Sequence, residues 1–249
     1  MMRTFSPQDL IVEDTHAASL PWINSLWFKF LEHHWGCLHE WERKYMSTLE
    51  VLKQTEEIKN IIDIGANTGP VSLFLSIIFD PQRIVCIEPD ISNFIFLKYA
   101  GRTIETDYTK VNFVNKAIYY SDLEEMNMIG SEGNVNTGGK FLEPVLDEKI
   151  PSNNFYKDPN PVKIKTLESV CDLCNLDRAD LVKIDVEGAE WNIIENSSFL
   201  KEKTNLIFLE YHDKSLEETL DFLKINLPNH DVIKHMASYV ILKHNKWGE

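Results

Sequence analysis

The sequence predicts an α/β fold in which a mostly parallel sheet is covered by helices on both faces. Short apolar runs alternate with amphipathic segments along most of the chain. The first of these runs ends in an acid and a glycine-containing loop, as expected where a strand turns into a helix. Alternation of strand and helix patterns implies right-handed crossovers between parallel strands. The last two runs are too close together for a crossover helix, so they are expected to form an antiparallel hairpin.

The predicted elements follow one another in a regular order. Apolar runs predict strands at residues 60–64, 83–88, 111–117, 181–185, 205–211, 231–235 and 238–243. Helical periodicity predicts helices at residues 69–79, 91–102, 166–175, 189–197 and 215–226. Upstream of these, residues 21–53 carry large apolar side chains at spacings of three and four, which predicts an amphipathic helical stripe.

One domain with an N-terminal extension is the simplest organisation for this chain. Its 249 residues, 43% of them hydrophobic, are enough to bury one substantial core. Residues 1–55 are expected to form a helical extension that packs on the core, and residues 56–249 the main domain. Segment 121–161 is rich in Gly, Asn, Pro and acids and interrupts the alternation. We expect a lid or acceptor-binding insertion there, with a surface excursion that contacts no ligand as the alternative.

Charge and composition exclude several classes of partner. The formal net charge of −14 argues against nucleic acid and against anionic membrane surfaces, since both require clustered Lys and Arg. No stretch approaches the roughly 18 apolar residues of a membrane-spanning helix. The start of the chain lacks the apolar core of a signal peptide, and the four cysteines do not suggest a disulfide framework. A cytoplasmic setting is therefore expected.

The loop after the first predicted strand carries the strongest functional signal. Asp63 lies on this strand, and Gly65 and Gly69 open and close the loop GANTG. Glycine at these positions allows the backbone to approach a ligand closely. Glu88 ends the second strand, where a carboxylate can accept hydrogen bonds from two ribose hydroxyls. The pattern predicts a nucleoside-bearing cofactor, with an ordinary tight turn as the alternative.

The same loop distinguishes between cofactors. A dinucleotide fingerprint reads G-x-G-x-x-G, and its middle glycine admits a pyrophosphate. Asn67 stands at that position in this chain. A buried acid at Asp63 would repel a pyrophosphate but suits the ammonium and sulfonium groups of S-adenosylmethionine. We therefore expect S-adenosylmethionine rather than NAD, with Asp63 and Asn67 next to its methionine portion.

Six segments together resemble the FkbM family of S-adenosylmethionine-dependent methyltransferases. In order they are IIDIGANTG, IVCIEPD, VNFVNKAI, IKTLESV, LVKIDVEGAEWNII and LIFLEYH, spanning about residues 61–212. The resemblance implies a class I methyltransferase Rossmann-like fold, with a seven-stranded sheet in the order 3-2-1-4-5-7-6 and one antiparallel strand. It also implies methylation of a hydroxyl, often on a sugar or polyketide, and contact of Asn115 and Ala117 with the adenine.

Titratable residues converge on the C-terminal ends of the fourth and fifth predicted strands. Asp185 ends the fourth strand and Glu187 begins the turn that follows. Glu210 and His212 alternate around Tyr211, so both are expected on the same side of the sheet. His212 is the expected general base because its unperturbed pKa lies near neutrality. Asp185 or Glu187 could orient His212 or accept the proton instead, and each carboxylate could alternatively satisfy a turn or a helix start.

The same cluster is also compatible with a site for a divalent cation. Asp185, Glu210 and His212 are similar to the Mg²⁺ site of catechol-type O-methyltransferases, where the metal lowers the pKa of the acceptor hydroxyl. The chain departs from that pattern, because E-Y-H stands where those enzymes carry adjacent Asp and Asn.

Two classes of function are compatible with these residues. The first is an O-methyltransferase that acts on a hydroxyl of a small acceptor, most simply a sugar or glycan. The second is a non-catalytic module that keeps the cofactor-binding sheet as a scaffold. A nicotinamide oxidoreductase is disfavoured by the missing middle glycine. An exposed aromatic face within residues 21–53 could also form the interface of a homodimer.

Overall fold

The elements of the structure, a computed structural model, are described for residues 45–104, 108–131, 140–144, 155–157 and 161–248. The first half contains α1 (45–55), β1 (Asn60–Ile64), α2 (Pro70–Phe79), β2 (Arg83–Ile87), α3 (Ile91–Ile104), β3 (Lys110–Val114), β4 (Ala117–Ile118), β5 (Glu125–Ser131) and β6 (Phe141–Pro144). The second half contains β7 (Phe155–Lys157), β8 (Val162–Lys165), α4 (Leu167–Leu173), β9 (Ala179–Ile184), α5 (Glu190–Asn196), α6 (Ser198–Glu202), β10 (Thr204–Glu210), α7 (Leu216–Asn226), β11 (His230–Met236) and β12 (Tyr239–His244).

A seven-stranded sheet runs through the centre of the structure. Its strand order is β11-β12-β10-β9-β1-β2-β3. The pairs from β10 through β9, β1 and β2 to β3 are parallel, whereas β12 is antiparallel to both of its neighbours. This confirms the class I methyltransferase Rossmann-like fold, including the order 3-2-1-4-5-7-6 and the final hairpin.

The central strands are apolar on both faces because helices cover both sides of the sheet. All six residues of β9 are buried, and in β10 only Glu210 is partly exposed. Ile62 and Val182 belong to a core cluster shared with α4, α5 and α7. Ile61 and Leu181 belong to a second cluster shared with α1 and α2. Because successive side chains point to opposite faces, each strand contributes to both clusters.

A second, smaller sheet is formed by strands in and on either side of the segment predicted as an insertion. It has the order β4-β8-β5-β6, and β7 also pairs with β5. The predicted third strand was expected to continue to residue 117, but β3 ends at Val114. The chain leaves the main sheet there, and Ala117 and Ile118 pair with Ile164 and Lys165 instead. Segment 121–161 is therefore partly ordered as strands.

Helix α1 attaches the described end of the N-terminal extension to the core. The Tyr45 ring packs edge-on against Phe208 at 5.4 Å and against Tyr239 at 4.9 Å between ring centroids. Leu49 and Leu52 are buried in the same cluster. The rest of the predicted stripe, residues 21–44, lies outside the described residues. Within the described ranges, no helix combines the length and apolar composition needed to cross a bilayer.

Candidate active site

A cavity opens at the C-terminal edge of the main sheet. The strand order reverses there, because β2 lies on one side of β1 and β9 lies on the other. Open α/β sheets bind ligands at such a point. Its void measures about 740 Å³, open solvent at the mouth included. Several predicted site residues line it together, namely Gly65, Asn67, Glu88, Ala117, Asp185 and Glu187.

Gly65 brings the loop after β1 into contact with the turn after β9. Its φ of +79° lies in the left-handed region, and its backbone N–H donates to the Ile87 carbonyl oxygen at 3.0 Å. A Cβ at this position would lie 1.8 Å from the Asp185 carbonyl oxygen. Glycine is therefore required here by the approach of another backbone segment as well as by conformation. Gly69, with φ +96°, is the N-cap residue of α2, directly before Pro70.

We expect Gly65→Ala to destabilise the fold by about 2–4 kcal/mol, because left-handed strain adds to a displacement of the Asp185 backbone. Urea denaturation measures the change. Gly248→Ala is the matched control, because Gly248 also has a positive φ of +92° but a Cβ there would meet nothing within 4 Å. Equal losses in the two variants would show that strain alone explains the effect.

Glu88 lies at the end of β2 with its carboxylate held by the backbone. Its Oε2 accepts from the Asn67 N–H and its Oε1 from the Asp90 N–H, both at 2.8 Å. Burial raises the pKa of Glu88 to about 7, against the effect of these two hydrogen bonds. Since each carboxylate oxygen can accept more than one hydrogen bond, Glu88 keeps acceptor capacity for a ligand in the cavity that it lines.

The other residues expected to contact the cofactor, Asn67, Asn115 and Ala117, differ in their surroundings. Asn67 adopts φ +52° and orients Glu88 through its backbone N–H. The Asn115 side-chain amide donates to the carbonyl oxygens of Glu88 and Pro89, both at 2.9 Å. Asn115 thus fixes the loop after β2 and does not line the cavity, whereas Ala117 does.

Asp63 does not line the cavity, because its carboxylate is buried in an ion pair. Lys183, its register partner on β9, places its Nζ 3.2 Å from Asp63 Oδ1 and 3.3 Å from Asp185 Oδ2. The same Nζ donates to the Gly65 carbonyl oxygen at 2.8 Å. Ser72 donates to Asp63 Oδ2 at 2.5 Å. Asp63 is therefore a buried acid, as expected, and it is paired with Lys183 and Ser72.

Lys183 is a site residue that the sequence analysis missed. Burial opposes its charged form, but the charges and hydrogen bonds of Asp185 and Asp63 outweigh burial and raise the pKa of Lys183. One ammonium thus lies between two carboxylates, which leaves one negative charge in excess. The signal that could have identified it is a lysine within the otherwise apolar run LVKID, two residues before an acid.

The inserted sheet forms the opposite wall of the cavity. Met128 on β5, Leu142 on β6 and Lys140 just before β6 all line it. Lys140 forms an ion pair with the buried carboxylate of Asp90, which follows Glu88 by two residues. The described part of segment 121–161 therefore contacts the crevice.

Asp185, Glu187 and His212 form a cluster at one end of the cavity. One ligand-type atom from each lies within 4.8 Å of the others. His212 Nε2 is 3.6 Å from Glu187 Oε2. Glu210 is not one of these three residues, but its side chain is hydrogen-bonded to Asp185 and also accepts from Ser238 Oγ at 3.1 Å and from the Tyr239 hydroxyl. Burial, followed by the charge of Asp185, raises the pKa of Glu210 to about 7.

His212 is paired with Glu190, the first residue of α5. The imidazole Nδ1 lies 3.1 Å from Glu190 Oε1, and the same oxygen accepts from the His212 backbone N–H at 2.9 Å. The hydrogen bond to Glu190 raises the pKa of His212 to about 9, against the effect of burial. The His212 ring therefore holds its proton more tightly than an unperturbed imidazole, whose pKa lies near neutrality.

The three residues brought together differ from the predicted Mg²⁺ set of Asp185, Glu210 and His212. His212 Nδ1 faces the Glu190 carboxylate, so Nε2 is the ring nitrogen directed toward the cluster, and it must lose its proton before it could bind a cation. Asp185 shares the Lys183 ammonium with Asp63. Of the predicted Mg²⁺ set, Glu210 is engaged by Ser238 and Tyr239.

The chain is similar to known methyltransferases. The profile of a family described as the methyltransferase FkbM domain matches residues 63–233. A relative described as the 2-O-methyltransferase NoeI, from Sinorhizobium fredii (strain NBRC 101917 / NGR234), is 25% identical over 189 residues, which cover 71% of this chain and 74% of the relative.

Solved methyltransferase structures are also similar to the chain. A precorrin-6y C5,15-methyltransferase from Geobacter metallireducens GS-15 has a TM-score of 0.43 and 13% identity, with 80% of this chain and 87% of that chain covered. The N-terminal domain of human METTL16 in complex with SAH has a TM-score of 0.45 and 15% identity, with coverages of 81% and 69%. The family profile spans more than half of the sequence, and the chain therefore belongs to the FkbM methyltransferase family.

Proposed function

We propose that this chain transfers the methyl group of S-adenosylmethionine to a hydroxyl of a small acceptor, most simply a sugar or glycan. The observation that carries the proposal is a single cavity lined by carboxylates that follow two different strands, β2 and β9. Glu88 lines one end as a buried hydrogen-bond acceptor, and Asp185 and Glu187 line the other. His212 contacts Glu187 at that second end. A cofactor and an acceptor can therefore meet between them.

The cofactor fits the cavity by charge and by hydrogen bonding. In this proposal Glu88 accepts from the ribose hydroxyls, and the apolar side chains of Ile118, Met128 and Leu142 face the adenine. The excess negative charge shared by Asp63, Lys183 and Asp185 favours the ammonium of the methionine portion. The charge argument for S-adenosylmethionine therefore rests on these three residues together and not on Asp63 alone.

The chemistry is an in-line displacement at the methyl carbon. The acceptor oxygen forms a bond to this carbon while the carbon–sulfur bond breaks, and its electron pair stays on sulfur as a neutral thioether. Proximity and orientation can supply up to about 7–11 kcal/mol of the barrier. The hydroxyl proton passes to Nε2 of the neutral fraction of His212, a general-base contribution of about 10²–10⁴ in rate.

The proposal that the acceptor is a sugar or glycan rests on the carboxylates at the acceptor end of the cavity. Asp185 and Glu187 offer carboxylate oxygens, which accept hydrogen bonds from several hydroxyls at once. The name of the relative NoeI describes transfer to an oxygen, which supports the same reaction class. A polyhydroxyl acceptor such as a sugar makes use of these oxygens.

We expect Glu88→Ala to weaken binding of S-adenosylmethionine by about 1–3 kcal/mol, or about 5- to 150-fold, because two hydrogen bonds to the ribose are lost. Isothermal titration with S-adenosylhomocysteine measures the change. Glu143→Ala is a control, because Glu143 lies on β6 but does not line the cavity. An unchanged affinity in Glu88→Ala would contradict the placement of the ribose.

The proposed function is tested in two steps. First, S-adenosylmethionine and S-adenosylhomocysteine should each raise the melting temperature, and NADH should not. Second, methyl-labelled cofactor should label one or more members of a panel of glycosides. Binding without labelling across the panel would favour the non-catalytic scaffold, and a shift with NADH would favour an oxidoreductase.

A further inference from the structure

Glu190, the first residue of α5, has an unusually complete set of partners for an acid at a helix start. Its side chain is 0% exposed. Oε2 accepts from the Gly188 backbone N–H at 2.8 Å, and Oε1 accepts from the backbone N–H of His212 at 2.9 Å. The third contact is His212 Nδ1, at 3.1 Å from Oε1. Two of its three partners thus belong to one histidine.

A helix-start role alone does not explain this burial. An acid in the first turn interacts favourably with the helix dipole while it remains exposed to solvent. Burying a carboxylate is costly unless its oxygens are satisfied, and here the turn before α5 satisfies Oε2 while the loop after β10 satisfies Oε1. The position of Glu190 is therefore linked to that of His212.

We propose that Glu190 is a positioning residue that holds the His212 ring with Nδ1 toward itself and Nε2 toward the acceptor end of the cavity. The inference rests on the proposed function, because it gives His212 the role of proton acceptor. It assigns to Glu190 no contact with the substrate.

The hydrogen-bonding capacity of the Glu190 carboxylate and the His212 ring determines which ring nitrogen carries the proton. An ionised carboxylate only accepts hydrogen bonds, so the neutral His212 ring must carry its proton on Nδ1. The lone pair then lies on Nε2, the atom 3.6 Å from Glu187 at the cavity. Without the carboxylate, either tautomer is allowed and the ring can rotate.

Other acids near His212 cannot substitute for Glu190. Glu187 faces Nε2, the opposite side of the ring. Glu210 acts on His212 through charge while its own oxygens accept from Ser238 and Tyr239. Asp185 is paired with Lys183.

The backbone of His212 has a separate attachment. The indole Nε1 of Trp191 donates to the His212 carbonyl oxygen at 3.1 Å. Loss of the Glu190 charge should therefore leave the loop in place and release mainly the ring, which makes a conservative substitution informative.

The test compares Glu190→Gln with Glu195→Gln, an exposed acid on the same helix. A glutamine amide can donate to Nδ1, which stabilises the opposite tautomer and removes the lone pair from Nε2. We expect kcat to fall by about 10²-fold or more in Glu190→Gln, with the affinity for S-adenosylhomocysteine unchanged and Glu195→Gln normal. Turnover near the wild-type value in a folded Glu190→Gln protein would overturn the proposal.

A double-mutant cycle separates positioning from a general structural effect. If Glu190 acts through His212, Glu190→Gln should cause no further loss of turnover in a His212→Ala background. Independent, multiplying losses would contradict the proposal.

A spectroscopic measurement on the unsubstituted protein requires no acceptor and no variant. The ¹⁵N chemical shifts of His212, recorded above the pH at which the ring loses its proton, should show the proton on Nδ1 and a bare Nε2. A proton on Nε2 would overturn the proposal. If the Nδ1 tautomer is found but the protein neither binds S-adenosylhomocysteine nor methylates any acceptor, the proposed function fails and the assignment of Glu190 stands.

Discussion

Lys183→Met is expected to lower the free energy of unfolding by about 3–5 kcal/mol, because it removes the cation from a buried ion-pair group. Lys183 is 1% exposed and Asp63 is 0% exposed, so water cannot replace the lost partner. Asp63 and Asp185 would then face each other without compensation. The Gly65 carbonyl oxygen would also lose its donor at 2.8 Å. Urea denaturation followed by circular dichroism measures the loss.

The double variant Asp63→Asn/Lys183→Met tests whether charge is the cause. It removes one positive and one negative charge together, so it should recover a large part of the stability lost in Lys183→Met. Lys224→Met on α7 is the control, because Lys224 is exposed to solvent and should change stability little. If the double variant were less stable than Lys183→Met, packing and not charge would explain the effect of Lys183.

The main sheet could be predicted from the sequence because its strands are buried on both faces. The strands NIIDI and ADLVKI are buried at every residue except Asn60, and each matches a predicted strand to within two residues at either end. Gly65 could be predicted for a similar local reason, since a turn with φ of +79° excludes most side chains.

The small sheet could not be predicted, because its strands are short and their partners are distant in sequence. Ala117 pairs with Ile164, and Glu125 pairs with Lys163. Strands β4 and β7 have only two and three residues, too few for a periodic pattern. Local sequence does not contain the information that brings such segments together.

The cluster of Asp185, Glu187 and His212 could be predicted only in part from the sequence, for a physical reason. Alternation along a strand placed Glu210 and His212 on the same side of the sheet. Strand β10 ends at Glu210, so alternation no longer applies to His212. The loop instead turns His212 toward Glu190 on α5, a contact between residues 22 positions apart. Only the tertiary structure shows this pair.

His212→Ala is expected to lower kcat by about 10²–10⁴-fold while leaving the affinity for S-adenosylhomocysteine nearly unchanged. His212 accepts the proton in the proposed reaction, but it does not line the cavity assigned to the cofactor. His235→Ala is the control, because His235 lies on the exposed edge strand β11 and contacts Tyr211 and Ala237. Single-turnover measurement of labelled methyl transfer separates the chemical step from binding.

The pH dependence of the wild-type enzyme gives the sharper test of this role. Because the pKa of His212 is raised to about 9, the neutral and active form is the minor one at pH 7. The value of kcat/KM should therefore rise with pH, about tenfold per unit, and level off near pH 9. His212→Ala should abolish this rise. A profile that stays level through pH 9 in the wild type would instead identify a carboxylate, Glu187 or Asp185, as the proton acceptor.

The ion pair between His212 and Glu190 also predicts how the stability of the protein depends on pH. The pKa of His212 is higher in the folded protein than the value of about 6.5 expected for an unfolded chain. The folded state therefore binds the proton more tightly, and this contribution is fully present below pH 6.5 and is lost as the pH rises through 9. Turnover and the contribution of this pair to stability should thus change in opposite directions over this range. If both changes disappear in His212→Ala, one titrating group accounts for them.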